Sequence, residues 1–392
     1  MSDDIKLNYK INTIPSLTWN WLKMNSDTIS SDAVADFSEY KPTINQVPEG
    51  YTICNKESPL LSAGTGIFNI ANKKMPDSRV KEEAATDSEE KTAKVPVHPL
   101  TKALPEAEGQ TITVTGKAKE PLILNFNAGT SSGKTLSSQT IIAEKDSEAT
   151  LIFVYEDCNA DSKATESCST TSDTQFITTK IIAKENASLH IVKVQLLGKN
   201  DIQLDDTAFV AEDNAKLQFT QIELGGKHVD SGLHVNLNGY KSSFKSNVAY
   251  ICKEDQYLDM NHIVYHYGKK SECNMKVDGT LDGNGKKTYR GTIDFKNGCG
   301  GSKGNEMEEV LLLSPASVNK SLPVILCDEE DVEGEHGSTI GKLSKEMLFY
   351  MQTRGISQSE AEKLLSKAKI QFASDFIPDD EIKQKIRNWI GE

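Results

Sequence analysis

The sequence predicts a mainly β protein whose centre is a solenoid of stacked coils, flanked by an N-terminal α/irregular region and a C-terminal helical domain. Three observations predict it. From about Thr111 the chain breaks into short β-type runs. Three of its segments resemble one another: IIAEKDSEATLIFV from Ile141, IIAKENASLHIVKV from Ile181 and FVAEDNAKLQFTQI from Phe209. After Ser344 the apolar period changes from that of strands to that of helices. Each repeated segment joins a β pair to a polar turn and a second alternating strand, and the extra length sits in polar stretches such as 159–174. Strand–turn–strand units with variable insertions are the mark of a solenoid, in which coils stack and bury each other's apolar faces. On periodicity alone an antiparallel sandwich stays open as an alternative, because its strands also come at short spacing.

Four stretches follow in order. Residues 1–76 are the N-terminal helical/irregular region; Pro15 and Ser16 start a short helix there, with Leu17, Trp21 and Met24 on one side for packing. Residues 77–104 are a charged linker or mobile loop, since DSRVKEEAATDSEEKTAK lacks aromatics and has no face to bury. Residues 105–343 are the solenoid, and 344–392 the helical domain. Within the last, Lys345 to Thr353 form a short helix stopped near Gly355. Ser357 and Glu360 make a capping box for the next helix, whose amphipathic stripe is Ala361, Leu364, Leu365 and Ala368. A third helix runs from Asp380 to Trp389 after Pro378. These helices are expected to cap the solenoid end, which otherwise exposes unpaired strand edges.

Composition narrows the function. A net charge of −13 argues against nucleic acid or an anionic membrane as partner, since both attract basic surfaces. Seven cysteines, an odd number without regular spacing and without a CxxC pair, support neither a disulfide framework nor a closed zinc site. No signal-like core opens the chain and no apolar run approaches membrane-spanning length, so a cytoplasmic location with free thiols is expected.

Individual motifs carry less. Ala128 to Thr135, AGTSSGKT, nearly matches a phosphate-binding loop, but Ala128 replaces the first glycine and no helix former follows, so a Gly/Ser turn between coils is expected. Cys252, Cys273 and Cys327 read as buried small hydrophobes, whereas Cys299, in a Gly-Cys-Gly-Gly run, reads as a more exposed turn residue. His262 and His266 share one side of a strand and read as structural or interface groups. Strand alternation puts Gly334 and His336 on one side, and Glu333 and Glu335, expected as a solvated face, on the other. Glu335 is kept as an oxygen-ligand candidate because it adjoins His336. Parallel β-helices also host polysaccharide lyases and hydrolases, for which Glu254, Asp255 and Asp259 or the run Glu329-Glu330-Asp331 are the candidate carboxylates, although no pair is marked out by spacing.

The stretch from Leu311 to Leu365 is more specific. It contains LLLS, then LPVIL, DEEDV, EHGSTIG, FYMQTRGI and AEKLL. In order and spacing it resembles the C-terminal signature of the SufB/SufD family of iron–sulfur cluster assembly proteins, which reads LLLS-x-x-A, P-x-L, D-D-V, H-G-A-T-x-G, F-Y-x-x-x-R-G-I and A-x-x-L-L. The resemblance is specific over about Asp259 to Ala368. His266 fits a further family histidine, with Cys273 where serine is usual. The resemblance decides between the two β architectures and implies a right-handed parallel β-helix.

It also implies a function. SufB-type scaffolds place a cysteine where this chain has Glu308 and a glutamate where it has Gly337, so the chain looks most like SufD; a SufB-like scaffold carrying the nascent cluster is the alternative. The resemblance implies a non-catalytic subunit that pairs with a SufB-like subunit through the C-terminal end of its β-helix and docks a SufC-like ATPase on its helical domain. ATP-driven dimerisation of two SufC subunits would strain the junction and expose buried ligands. His336 is implied as a ligand for iron or a nascent cluster shared transiently with the partner and not held tightly by this chain alone; imidazole suits iron and replaces cysteine on some clusters. Gly334 stands where some relatives have a second ligand, a cysteine. The docking surface is expected over Lys345 to Lys369, with Met347, Phe349, Tyr350, Leu364 and Leu365 as anchors. A homodimer through the same junction is the remaining assembly.

Overall fold

The computed structural model describes residues 8–16, 22–55, 67, 100, 104, 108–128, 133–157 and 173–391. Four short strands come first: β1 (Asn8–Ile11), β2 (Asp27–Ser30), β3 (Ser38–Glu39) and β4 (Tyr51–Cys54). The chain then alternates between two sheets. One sheet takes β5 (Gln110–Val114), β7 (Lys134–Ala143), β9 (Thr174–Ala183), β11 (Ile202–Ala211), β13 (His228–Leu237), β15 (Tyr257–His266), β17 (Lys286–Phe295) and β19 (Val318–Cys327). The other takes β6 (Leu122–Ala128), β8 (Glu148–Asp157), β10 (Ser188–Leu196), β12 (Lys216–Glu223), β14 (Ser243–Cys252), β16 (Glu272–Leu281), β18 (Ser302–Leu312) and β20 (Val332–Gly341). From β5 onward every strand pairs in parallel with the strand two places along. This is a parallel β-solenoid of about seven coils, and the antiparallel sandwich is excluded.

The three similar segments become three consecutive coils. Their matching residues stack: Ile141 on Ile181 on Phe209, then Val235, Val264 and Ile293, all wholly buried between the two sheets. Fully burying each such side chain stabilises by about 1.5–3 kcal/mol, so an unbroken ladder holds the coils in register. The polar turn of each segment is the corner between its strands. Asp146, Asn186 and Asn214 occupy it with φ of 59°, 58° and 56°, the left-handed region that Asn and Asp tolerate better than other side chains. At another corner the backbones themselves touch: a Cβ on Gly239 would sit 2.0 Å from the Glu212 carbonyl carbon.

The two ends differ. At the start, β4 lies antiparallel on β5, and Thr43 bridges to Asn125 of β6, so both sheets are covered. At the finish, among the described residues, β19 and β20 have no strand beyond them. Three helices follow: α1 (Lys345–Thr353), α2 (Gln358–Ser374) with the Ser357/Glu360 capping box formed, and α3 (Asp380–Trp389). They do not cap the end as expected. Ile370, Ala373, Ile377, Ile382 and Ile386 pack on Ile152, Val192, Val194, Ile222 and Ala249, along the outer face of the β6–β20 sheet. The outward residues of that face are apolar, so the flank offers more buried area than an end of backbone edges. The face of α2 also differs from the expected stripe: Ala361, Ser366, Ile370 and Ala373 are buried, while Leu364 and Ala368 are exposed. Small residues let the helix approach the sheet closely, and the bulkier Leu364 turns outward.

The β1–β2 hairpin covers the outer face of the other sheet, where Ile11, Ile29, Val34 and Phe37 meet Leu136, Phe176 and Leu204. The core of the helix expected to start at Pro15, residues 17–21, lies outside the described residues, as does the stretch 77–104 apart from Leu100 and Leu104, both buried in this same cluster.

Candidate functional site

The open end exposes side chains whose pleat side is the interior. In β20, His336 is in register with Glu306, and Ile340 with Val310; in β19, Cys327 is in register with Phe295. The covered partners Glu306, Val310 and Phe295 are buried, whereas Cys327, His336 and Ile340 are exposed. The difference is position in the stack, since none of the other described strands lies over the last coil. Cys327 therefore departs from its expected burial. β19 also carries Pro323, a residue confined in sheets largely to edges because it lacks a ladder donor.

Directly beneath His336 the interior is charged. The Glu306 carboxylate crosses to β17, where Gly291 admits it; a Cβ there would lie 1.8 Å from its Oε1. Burial, reinforced by Glu308, pushes the Glu306 carboxyl up to about 7, against the Tyr289 hydroxyl and Lys287, which favour its charged form. Glu308 accepts from Lys287 Nζ and, at 3.2 Å, from Ser338 Oγ; Lys287 also donates to Ser321 Oγ at 3.2 Å. Burial lowers the Lys287 ammonium despite that carboxylate. The Tyr250 and Tyr289 rings flank its Nζ, with centroids at 5.8 and 5.6 Å. A polar column thus runs from the exposed imidazole into the solenoid, and the reading of the sequence missed it. A signal was there: Glu306 and Glu308 are in phase with Val310, while Met307 and Glu309 face out.

Other singled-out residues do not join this site. Glu333 and Glu335 lie on the outward side of β20, opposite to His336, and Glu333 pairs with Lys303 at 2.8 Å. Cys252 and Cys273 are buried, and burial pushes both thiols up to about 12, so neither is a thiolate. Cys299 is buried too, against the expectation of an exposed turn: the corner turns its side chain into the core. His266 sits inside, 2.7 Å from Ser271 Oγ and 3.2 Å from Cys273 Sγ, and His262 packs edge-on against Tyr289. Of the near phosphate loop, 129–132 lies outside the described residues, and Lys134 opens a strand and donates to the Asp32 and Ala35 carbonyls. Asp259 is buried against Arg290, far in character from the exposed corner of Glu254 and Asp255, the half-buried Glu329 and the exposed Glu330. No polysaccharide-cleaving pair is brought together there.

On α1, Phe349 is 69% exposed and Tyr350 59%, and Met347 is exposed as well; on α2, Leu364 is exposed and Leu365 half-buried. α1 has no buried residue at all. The result is an exposed apolar surface on one short helix.

The family model described as SUF system FeS cluster assembly, SufBD core domain, matches residues 126–369 of the 392. The chain belongs to the SufB/SufD family. Relatives carry both names. SufD of Bacillus subtilis (strain 168) is 23% identical over 151 residues, 38% of this chain and 35% of that protein. SufD of Escherichia coli (strain K12) is 23% identical over 158 residues, 40% of this chain and 37% of the other. SufB of Bacillus subtilis is 25% identical over 123 residues, 31% and 26% respectively. The matches thus span well under half of these relatives. The matched SufB/SufD core takes in the open end, the polar column beneath it and most of α2. Among the described residues no helix is long and apolar enough to cross a membrane.

Proposed function

We propose that the chain is a SufD-like, non-catalytic subunit of a SUF assembly, pairing end-on with a SufB-like subunit. One observation carries the reading: among the described residues, two ten-residue edge strands lie unpaired at the same end of the solenoid. Long unpaired edges template pairing with another chain, and soluble proteins cover them or blunt them. Here the chain's own helices lie elsewhere. His336 and Cys327 face what would become the interior of a continued stack, so a second solenoid abutting this end would enclose them. The cargo, iron or a nascent cluster, would take the His336 imidazole from this side and its remaining ligands from the partner. The α1–α2 surface would dock a SufC-like ATPase, whose nucleotide state shifts the junction only by its differential affinity for the two arrangements.

Co-expression with SufB-like and SufC-like proteins, followed by mass measurement of the purified assembly, tests the pairing. A complex holding all three is expected. Homodimers alone, in the presence of those partners, would refute it. Phe349→Ala/Tyr350→Ala should lose the ATPase while retaining the SufB-like subunit and its own melting temperature; an unchanged complex would place the ATPase elsewhere.

The role of His336 has its own readout. Anaerobic reconstitution of the assembly with iron and sulfide should load less iron in His336→Ala, with the assembly mass unchanged. Equal loading would remove His336 from the ligand set. The exposed Cys327 favours a second reading, a SufB-like scaffold carrying the nascent cluster. That reading expects a cluster on this chain without any partner, lost in Cys327→Ser.

A further inference from the structure

Away from the open end, the β1–β2 hairpin and the outer face of the β5–β19 sheet meet around Asp27 of β2 and His228 and Asp230 of β13. One ligand atom from each lies within 4.8 Å of the others. His228 Nε2 is 3.0 Å from Asp230 Oδ2 and 3.8 Å from Asp27 Oδ2. Ligands bound at about 2.1 Å to one ion are separated by roughly 3.0 Å in octahedral and 3.4 Å in tetrahedral geometry, so the three atoms need little movement to share a cation. The Asp230 side chain is wholly buried and is aimed at this point, and among the described residues neither its Oδ1 nor Asp27 Oδ2 has a hydrogen-bond partner. A solvent-excluded carboxylate without a donor is costly unless a charge faces it.

The charge that faces these carboxylates is His228 itself: although burial opposes it, Asp230, then Asp27 and Asp259, push its imidazole up to about 9, so a cation would bind in place of that proton. Asp259, in register with Asp230 on the next coil, is buried as well. Its Oδ1 accepts from Arg290 Nη1 and Asn12 Nδ2, so that guanidinium is matched first to Asp259 and acts on Asp27 only without a hydrogen bond. Asp27 and Asp230 are left with an imidazole between them. Their mutual field is strong: burial, then Asp230 and Asp259, push the Asp27 carboxyl up to about 7. The Tyr257 ring meets the imidazole edge-on at 4.7 Å and holds its plane. The cluster lies close to the surface, since the side chains of His228 and Asp27 are 35% and 18% exposed although their facing atoms are shielded.

We propose that Asp27, His228 and Asp230 bind a divalent first-row transition cation, which fastens the N-terminal hairpin to the flank of the solenoid. One imidazole and two carboxylates suit Mn²⁺, Fe²⁺ or Zn²⁺ and not a soft ion or a sulfide cluster. The site is separate from the His336 end and stands whether or not the SufD-like reading does.

Metal-stripped full-length protein titrated with Mn²⁺, and separately with Zn²⁺, tests it. Bound Mn²⁺ is counted from the loss of the free-ion paramagnetic resonance signal. One saturable equivalent is expected, with a higher melting temperature. Asp230→Asn, His228→Gln and Asp27→Asn should each weaken binding by roughly tenfold or more and abolish the melting shift, whereas His336→Ala should bind like the wild type. Asp230→Asn is isosteric, and its metal-free form should melt no lower than the metal-free wild type, because a buried charge has gone. The proposal is overturned if neither ion binds saturably, or if binding survives in all three variants. It is also overturned if metal-free Asp230→Asn melts well below the metal-free wild type while the wild type ignores both ions, for then a plain His228–Asp230 ion pair accounts for the site.

Discussion

Replacing Lys193 by methionine will destabilise the protein by about 3–5 kcal/mol, the cost of leaving one member of a buried ion pair alone. Lys193 lies inside the solenoid on β10, and the side chains of Lys193 and Asp205 are almost wholly buried. Its Nζ donates to Asp205 Oδ1 at 2.5 Å, to Thr207 Oγ1 at 2.6 Å and to Thr179 Oγ1 at 3.3 Å, and lies 5.3 Å from the centroid of Phe153. Methionine fills most of the space but answers none of these acceptors. Asp205 would then have to stay charged without a counter-ion or take up a proton.

The double variant Lys193→Met/Asp205→Leu should recover most of the loss, because two uncharged groups of similar size remove the desolvation cost along with the attraction. Urea unfolding followed by circular dichroism, compared across the four members of the cycle, measures the coupling. A single variant within about 1 kcal/mol of wild type, or a double variant no better than the single, would show that the interior at this level is wet and the pair screened. The Lys184–Glu144 pair, 2.7 Å long and about two-fifths exposed at both ends, is the internal control: Lys184→Ala should hardly move the midpoint. Similar distances with different outcomes would locate the energy in burial rather than in contact.

The same interior explains which parts of the structure could be read from the chain. The corners were legible, because a polar turn with Asp or Asn at the left-handed position recurs in EKDS, KENA and EDNA. So were the helix limits, because Ser357 with Glu360 and Gly355 at φ 83° are local signals. Alternation reports which side of a strand faces in, but a terminal coil is written in the same code as a covered one. Cys327, on the inward side, therefore read as buried and is not, while Cys299, in a glycine-rich corner, read as exposed and is buried. Period two also fades where both faces are covered: β9, under the hairpin, is buried at nearly every position, polar Gln175 and Thr179 included. The Asp27–His228–Asp230 cluster joins residues remote in sequence, and only the pair at i and i+2 in HVD was available to view.

His262 supplies the last expected result, and its sign depends on pH. The ring is fully buried on β15, neither nitrogen has a hydrogen-bond partner among the described residues, and burial alone lowers its pKa from 6.5 to about 3. The unfolded chain therefore binds a proton below about pH 6.5 that the folded chain refuses until about pH 3. The contribution of neutral His262 to stability is complete above the unfolded value and is lost progressively as pH falls towards the folded one. His262→Leu, close in volume and unable to titrate, escapes that loss. The variant should be no less stable than wild type at pH 7.5, since two unpaired polar atoms are removed. Its advantage should grow by about 1.4 kcal/mol for each pH unit below the unfolded value, reaching roughly 3 kcal/mol at pH 4.5. The comparison is a difference between two chains, so groups that respond to acid in the opposite sense, such as Glu223, whose carboxyl burial pushes up to about 8, cancel from it. Urea midpoints of both proteins across pH 4.5–7.5 give the slope directly. Parallel curves would mean that His262 keeps its proton in the folded state, and hence that an acceptor or water reaches the ring inside the solenoid.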